Sequence, residues 1–177
     1  MVNILFANGF EEVEALTVVD MLRRADITVE MVSLNDDLYV TGGHNITVKC
    51  EKLLDKAELI DAVVLPGGIP GVPNIEKNNE AVEFIKRHYE NKKLVAAICA
   101  APALLGRIGI LSDRKAVCYP DLMDTLICKE KGNEKVVTDN NVITSQSAGT
   151  ALEFAFAIIK YLKDENTAEN VKKSIYY

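Results

Sequence analysis

The segment that most constrains this fold is an apolar run, Leu94–Ile98, which ends at a cysteine. A continuous run of this kind predicts a strand buried on both faces, as in a parallel sheet. Cys99 follows at once, and Ala101–Gly106 has the composition of a short apolar helix. A nucleophile at a sharp strand-to-helix turn forms a nucleophile elbow, in which the N–H groups of the helix favour a thiolate. Position alone leaves open the alternative that Cys99 is a buried cysteine serving as a small apolar side chain.

The remainder of the chain alternates strand-like with helix-like segments. Apolar runs predict strands at Val2–Ala7, Thr28–Leu34, Ala62–Leu65, Ala116–Tyr119, Lys135–Thr138 and Val142–Thr144, and a hairpin of Tyr39–Thr41 with Ile46–Val48. Helical spacing predicts helices at Glu12–Ala25, Ala81–Tyr89, Thr150–Leu162 and Thr167–Ser174. Thr150 and Glu153 match a capping box. This alternation predicts an α/β fold with a mostly parallel central sheet, and residues 1–177 are expected to form one domain because no linker divides them.

The composition narrows the class of protein. Of the 177 residues, 49% are hydrophobic, and 26 acidic residues outnumber 20 basic ones. No cluster of Lys or Arg forms a basic patch, so we expect neither nucleic acid nor an anionic membrane as a partner. No apolar segment reaches the roughly 18 residues that a membrane-spanning helix needs, and the first residues resemble a strand more than a signal peptide. The four cysteines show neither CxxC nor zinc-finger spacing, which favours a cytoplasmic protein with reduced thiols.

Four sequence features follow predicted strands and therefore point to one edge of the sheet. They are Gly9–Glu14, Pro66–Gly68, Cys99 and Ser145–Gly149. In open α/β sheets, binding sites lie outside the carboxyl ends of the strands. This convergence favours the functional interpretation of Cys99 over the structural one.

Three acids, Glu11, Glu12 and Glu14, open the first predicted helix. Acids in a first turn complement the helix dipole, and this suffices to explain Glu11 and Glu12. Glu14 differs, because helical spacing places it on the apolar face with Val18. Burial raises a carboxyl pKa, so a protonated Glu14 could donate to the Cys99 sulfur and lower the thiol pKa, with both groups titrating together. The alternative is a Glu14 that lies at the helix edge and faces water.

Backbone groups near Cys99 are candidates for an oxyanion hole. Glycine lets the backbone of Gly67 and Gly68 approach a reacting carbonyl group closely. The N–H group of Ala100, directly after the cysteine, is the third candidate. The glycine pair is not a phosphate-binding loop, because no Gly-Lys-Ser or Gly-Lys-Thr is present.

Histidine is scarce in this chain. His88 lies among charged residues of a predicted helix and is interpreted as a surface residue, whereas His44 lies in the hairpin and is an auxiliary candidate. Neither is close to Cys99 in the sequence, and no histidines or carboxylates have a convincing metal-ligand spacing, so no metal is expected. Cys118 could approach Cys99 as a resolving thiol, although a buried structural role is the more common one.

Four motifs occur in a fixed order along nearly the whole chain: Gly9–Glu14, Val63–Gly68, Ala96–Pro102 and Thr144–Thr150. Together they resemble the ThiJ/PfpI superfamily, in particular the subgroup of the Parkinsonism-associated deglycase and its bacterial relatives. The resemblance implies a flavodoxin-like sandwich that forms a homodimer, with Cys99 as the reactive, oxidation-prone cysteine and Glu14 as the acid hydrogen-bonded to it. It also implies an anion pocket lined by the backbones of Gly67, Gly68 and Ala100.

The resemblance also implies activities and exposes departures from the family pattern. The activities are cofactor-free conversion of methylglyoxal or glyoxal to hydroxy acids, repair of glycated proteins and redox-regulated chaperoning. Peptidase action belongs to relatives in which a His follows the cysteine, where this chain has Ala100. Some relatives have a His where this chain has Tyr119, whose free pKa near ~10 does not suit a base at neutral pH. Some have an Arg near the position of His44. His44 could take the place of this Arg as an anion ligand or base across a dimer interface.

Two functions from different classes follow from these residues. In the first, the chain is a cytoplasmic stress enzyme in which the Cys99 thiolate attacks a small dicarbonyl and Glu14 moves protons, without a cofactor. In the second, oxidation of Cys99 switches a redox sensor or chaperone, since a sulfinate would use the same hydrogen bond. The plainer alternative is an α/β domain whose pocket has lost its chemistry, with a Cys99 pKa near ~8.5.

Overall fold

A seven-stranded sheet forms the centre of the protein, whose computed structural model describes residues 1–177. The strands in chain order are β1 (Val2–Phe6), β2 (Val29–Ser33), β3 (Tyr39–Thr41), β4 (Thr47–Lys49), β5 (Lys52–Leu53), β6 (Ala62–Leu65), β7 (Leu94–Ile98), β8 (Lys115–Ala116), β9 (Glu130–Lys131), β10 (Val136–Asp139) and β11 (Val142–Ser145). The central sheet has the order β10-β11-β7-β6-β1-β2-β5, and only its β10–β11 pair is antiparallel. This topology confirms the predicted α/β fold with a mostly parallel sheet.

Helices cover both faces of this sheet. They are α1 (Glu12–Arg24), α2 (Gly71–Lys77), α3 (Asn79–Glu90), α4 (Ala101–Arg107), α5 (Ala151–Leu162) and α6 (Glu165–Ser174). Helices α1, α5 and α6 enclose one apolar core with strand residues such as Ile4, and α2, α3 and α4 enclose a second core with residues such as Leu5. Burial on both faces explains why the strands are continuous apolar runs and not alternating ones. None of the helices is long and apolar enough to cross a membrane.

The strand predicted at Ala116–Tyr119 is shorter than expected. Only Lys115–Ala116 pairs, as β8 with β9, and the N–H of Val117 donates instead to the Thr144 hydroxyl at 3.0 Å. A 3-10 turn at Pro120–Thr125 follows, because proline fixes φ for a turn and lacks the N–H that a strand needs. Sequence patterns also missed α2, which is short and contains a proline.

The capping box predicted for Thr150 and Glu153 is wrong. The Thr150 hydroxyl accepts from the N–H of Ser147 at 3.1 Å and lies 2.7 Å from the Ser145 hydroxyl, so the box forms one turn earlier, between Ser147 and Thr150. The Glu153 carboxylate instead pairs with Lys135 at 2.6 Å. This network holds the loop before α5 against β11. Because β11 pairs with β7, the loop lies near the turn that carries Cys99.

His88 is fully buried, so its prediction as a surface residue is wrong. It continues the buried face of α3 that Ala81, Phe84 and Ile85 form at helical spacing. Its Nδ1 donates to the Phe84 carbonyl at 2.9 Å, and its ring packs edge-on against the Phe84 ring. Nε2 is buried without a hydrogen-bond partner, and burial lowers the pKa of His88.

We expect His88 to make the protein less stable at mildly acidic pH. Its pKa is lowered in the folded state, so as the pH falls below the free value of about 6.5, the unfolded chain takes up a proton before the folded chain does. His88→Gln keeps a donor for the Phe84 carbonyl and removes this titration. In urea unfolding at about pH 7.5 and about pH 5.5, the variant should lose less unfolding free energy on acidification, by at most about 1.4 kcal/mol per pH unit. An equal loss in both proteins would contradict this role.

Candidate active site

Cys99 occupies a strained turn between β7 and α4. Its φ is +65°, in the left-handed region that residues with a Cβ rarely adopt. The turn is fastened on both sides, because the Cys99 N–H donates to the Ser145 carbonyl at 3.0 Å and its carbonyl accepts from the Tyr119 N–H at 2.7 Å. This geometry agrees with the predicted nucleophile elbow and holds the thiol above the end of the sheet.

Glu14 is the side chain that meets this thiol. It is 1% exposed on the inner face of α1, so it does not face water. Its Oε2 accepts from the Gly67 N–H at 2.9 Å, and the N–H of Ala148 also stabilises its charged form. The Cys99 thiol completes the set of donors around the carboxyl group. Three segments that lie far apart in the sequence therefore converge on the carboxyl group of Glu14.

Burial and the charge of the neighbouring group shift the pKa values of both Glu14 and Cys99. Burial raises the pKa of Glu14 to about 7, against hydrogen bonds from Cys99 and Gly67 that lower it. Burial, followed by the Glu14 charge, raises the pKa of Cys99 to about 12, while the N–H groups of Ala100 and Gly68 lower it. The charged carboxylate thus opposes the expected lowering of the thiol pKa. Sulfur ionises near neutral pH only when Glu14 keeps the proton, so the pair acts as one acid that shares a proton.

The three predicted backbone donors divide into two roles. Gly68 and Ala100 direct their N–H groups toward the Cys99 sulfur, where they stabilise a negative charge. The N–H of Gly67 is instead engaged with Glu14 and positions the acid. A Cβ at position 67 would lie 2.5 Å from both the Cys99 Cβ and Glu14 Oε2, so only glycine fits there. Sequence reasoning identified the residues but could not assign the Gly67 donor to Glu14, because that bond depends on how α1 docks against the turn.

His44 lies on the loop between β3 and β4 and contacts two acids at the start of α1, with no bond to Cys99. Its Nδ1 is 2.8 Å from Glu12 Oε2 and 3.7 Å from Glu11 Oε1, while the backbone N–H of His44 donates to Glu12 Oε1 at 2.7 Å. The hydrogen bond to Glu12 and the charges of both acids raise the pKa of His44. Glu12 is 4% exposed and holds the hairpin against α1 through these bonds. The helix dipole alone did not predict this role, because His44 lies 32 residues away in the sequence.

The remaining candidates lie beside the turn. Tyr119 reaches Cys99 through its backbone, and its side chain is 40% exposed. The Cys118 thiol packs into the second core, 3.6 Å from Met123 Sδ, whereas Cys99 packs against the first core. The two sulfurs face different layers, so the geometry does not support Cys118 as a resolving thiol.

Known proteins with similar sequences and folds share one family. Residues 1–161 match the model of the DJ-1/PfpI family. The chain belongs to this family. It is 36% identical over 157 residues to DJ-1 homolog B of Arabidopsis thaliana, which covers 87% of this chain and 36% of the length of that plant protein.

Two further relatives of this DJ-1/PfpI chain match it over nearly their full lengths. A deglycase of Pyrococcus horikoshii is 32% identical over 163 residues, which covers 90% of this chain and 97% of the archaeal protein. The solved structure of oxidised Toxoplasma gondii DJ-1 is similar with a TM-score of 0.96 and 34% identity, and the match covers 99% of this chain and 97% of that one. These matches confirm the family resemblance inferred from the motifs and the flavodoxin-like fold.

We expect the shared proton to give Cys99 a distinctive pH profile of alkylation. The rate with iodoacetamide should rise as the pair loses its first proton near the Glu14 pKa of about 7 and then level off, because the pair holds its second proton until far higher pH. In Glu14→Gln this step should vanish, leaving a rate that climbs steadily with pH. Peptide mapping by mass spectrometry isolates the Cys99 signal from the other thiols. Superimposable profiles for the two proteins would refute the coupling.

Proposed function

We propose that this DJ-1/PfpI chain is a cofactor-independent, cysteine-dependent enzyme that converts small dicarbonyls such as methylglyoxal and glyoxal to hydroxy acids, with protein deglycation as a related activity. One observation carries the proposal: the Cys99 thiol stands on a strained elbow against the buried Glu14 carboxyl, with the N–H groups of Gly68 and Ala100 at the sulfur. The relative named as a deglycase supports the reaction class. The four free cysteines support a reducing, cytoplasmic setting.

The proposed reaction begins when the Cys99 sulfur adds to the aldehyde carbon of methylglyoxal. A C–S bond forms, and the aldehyde oxygen takes the proton that Glu14 holds, giving a hemithioacetal. The N–H groups of Gly68 and Ala100 stabilise the developing oxyanion. Only the form with ionised sulfur and protonated acid is productive, so the shared proton of the pair is the first proton transferred.

Glu14 then carries the internal redox step as a base and an acid. It removes the proton from the former aldehyde carbon, and a proton returns to the ketone carbon through an enediol. The first carbon is oxidised to a thioester and the second is reduced to an alcohol, so no external oxidant is needed. Water cleaves the C–S bond, which releases lactate and restores the thiol.

The direct test is lactate formation from methylglyoxal without glutathione. We expect activity in the parent protein and a loss of roughly 100-fold or more in Cys99→Ser and Glu14→Gln, because each removes one half of the pair. Cys128→Ser is the matched control, since Cys128 is free and lies outside the pair. His44→Ala tests whether His44 binds the substrate anion or acts as a base, and unchanged activity would remove that role. Equal lactate formation by the parent and Cys99→Ser would disprove the proposed mechanism.

A redox switch is the second candidate function. The specific observation in its favour is that a structural relative at 34% identity was solved in its oxidised form. The same donors that stabilise a thiolate at Cys99 would stabilise a sulfinate. If neither the parent protein nor any variant makes lactate, and if peroxide adds two oxygens to Cys99, a redox switch explains the site better than the enzyme does.

We also propose that the chain forms a homodimer through the outer faces of α1 and α5. A groove of about 710 Å³ lies there. Its lining is mainly apolar, including Val13, Leu16 and Leu152, with the charged Asp20, Lys135 and Glu153 at its sides. Val13 is 53% exposed although it adjoins the site acid on α1. A second copy of this chain would bury this surface. The hairpin of one copy would then lie near the Cys99 site of the other copy, where His44 would act across the interface.

Light scattering tests this assembly directly. We expect a mass twice the 19.5 kDa of one chain, and a shift toward 19.5 kDa in Val13→Asp because a charge in an apolar interface stays unpaired. Ile127→Asp is the matched control, since Ile127 is equally exposed at 56% but lies away from the groove. A monomeric parent, or a dimer that survives Val13→Asp, would contradict the proposed interface.

A further inference from the structure

The three polar side chains at the start of α1 and on the hairpin form a compact ligand set. Glu11, Glu12 and His44 each present one donor atom, and the three atoms lie within 4.8 Å of one another. The imidazole Nδ1 lies 2.8 Å from one carboxylate oxygen and 3.7 Å from the other. The set therefore combines one nitrogen with two oxygens, and it arises from fold contacts that the sequence spacing did not reveal.

These separations suit a first-row divalent cation. Nitrogen and oxygen ligands bind Zn²⁺ at about 2.0–2.2 Å, so two ligands of one ion stand roughly 2.9–3.5 Å apart. The three donor atoms lie within 4.8 Å of one another, so the Glu11 side chain would have to move its oxygen by about an ångström for all three donors to bind one ion. A set of three protein ligands also leaves coordination positions open for water, as in open zinc sites.

The surroundings of the cluster favour an added positive charge. The Glu12 side chain is 5% exposed and held in one orientation by backbone N–H groups of the hairpin. No N–H or O–H group of the chain lies within hydrogen-bond distance of the Glu11 carboxylate, whose nearest partner is His44 at 3.7 Å. His44 is 69% exposed, which gives an ion access from solvent. Two carboxylates thus share one imidazole, and one of them has an unused oxygen facing the other two donors.

We propose that Glu11, Glu12 and His44 form a site for a divalent cation of the zinc class. The imidazole selects such a cation over Mg²⁺ or Ca²⁺, which prefer all-oxygen sets. The site involves neither Cys99 nor Glu14, so it can be tested apart from the proposed dicarbonyl chemistry.

Calorimetric titration with Zn²⁺ alone tests the site, in a Cys99→Ser background so that the reactive thiol cannot supply the binding. We expect one Zn²⁺ per chain, with binding abolished by His44→Ala and weakened roughly 10-fold or more by Glu11→Gln. Glu11→Gln is the deciding variant, because its carboxylate accepts no hydrogen bond and its loss leaves the hairpin fastened by Glu12. Glu83→Gln, which changes an exposed acid on α3, is the matched control and should bind as the parent does.

Cobalt spectroscopy gives an independent readout of the ligands. Co²⁺ in the Cys99→Ser protein should develop visible d–d bands without a sulfur charge-transfer band, and these bands should disappear in His44→Ala. Thermal unfolding of each variant checks that the hairpin and helix remain folded. Absence of binding at millimolar Zn²⁺, or binding that persists unchanged in both His44→Ala and Glu11→Gln, overturns the proposal.

Discussion

The close approach of the buried Glu14 carboxyl to the Cys99 thiol is the interaction on which the rest of this site depends. Glu14 is nearly inaccessible to solvent, so its charge must be met by the donors around it. Those donors come from the turn after β6, the loop before α5 and the Cys99 elbow. Each of these segments is positioned by the strand or helix beside it. Glu14 therefore links α1 to the carboxyl ends of the central strands.

Helix α1 gives neighbouring acids different tasks because of its periodicity. Glu14 points to the core and meets the thiol, whereas Glu12 points to the hairpin and fastens His44. The outward face carries Val13 and Leu16 along the apolar groove. The first residues of α1 thus connect the Cys99 thiol, the hairpin and the groove.

Much of the fold, and the burial of Cys99 and Glu14, could be predicted, because local pattern carries that information. The apolar run before Cys99 and the helical spacing of Glu14 each report burial directly. The charged neighbours of His88 predict a surface residue, whereas its spacing from Phe84 continues a buried face. The contact between Glu12 and His44, like the bond of Gly67 to Glu14, joins distant segments. No local pattern encodes such contacts, so they become visible only when the sheet and helices are assembled.

The fastening of the Cys99 turn to its neighbours has a thermodynamic consequence. Its N–H is bonded to the residue that ends β11, and its carbonyl to the segment that leaves β8. A strained backbone held from both sides cannot relax by fraying of the short α4 alone, since both bonds would have to open with it. The geometry at the Cys99 sulfur therefore depends on the end of β11 and on the segment after β8 as well as on the turn itself.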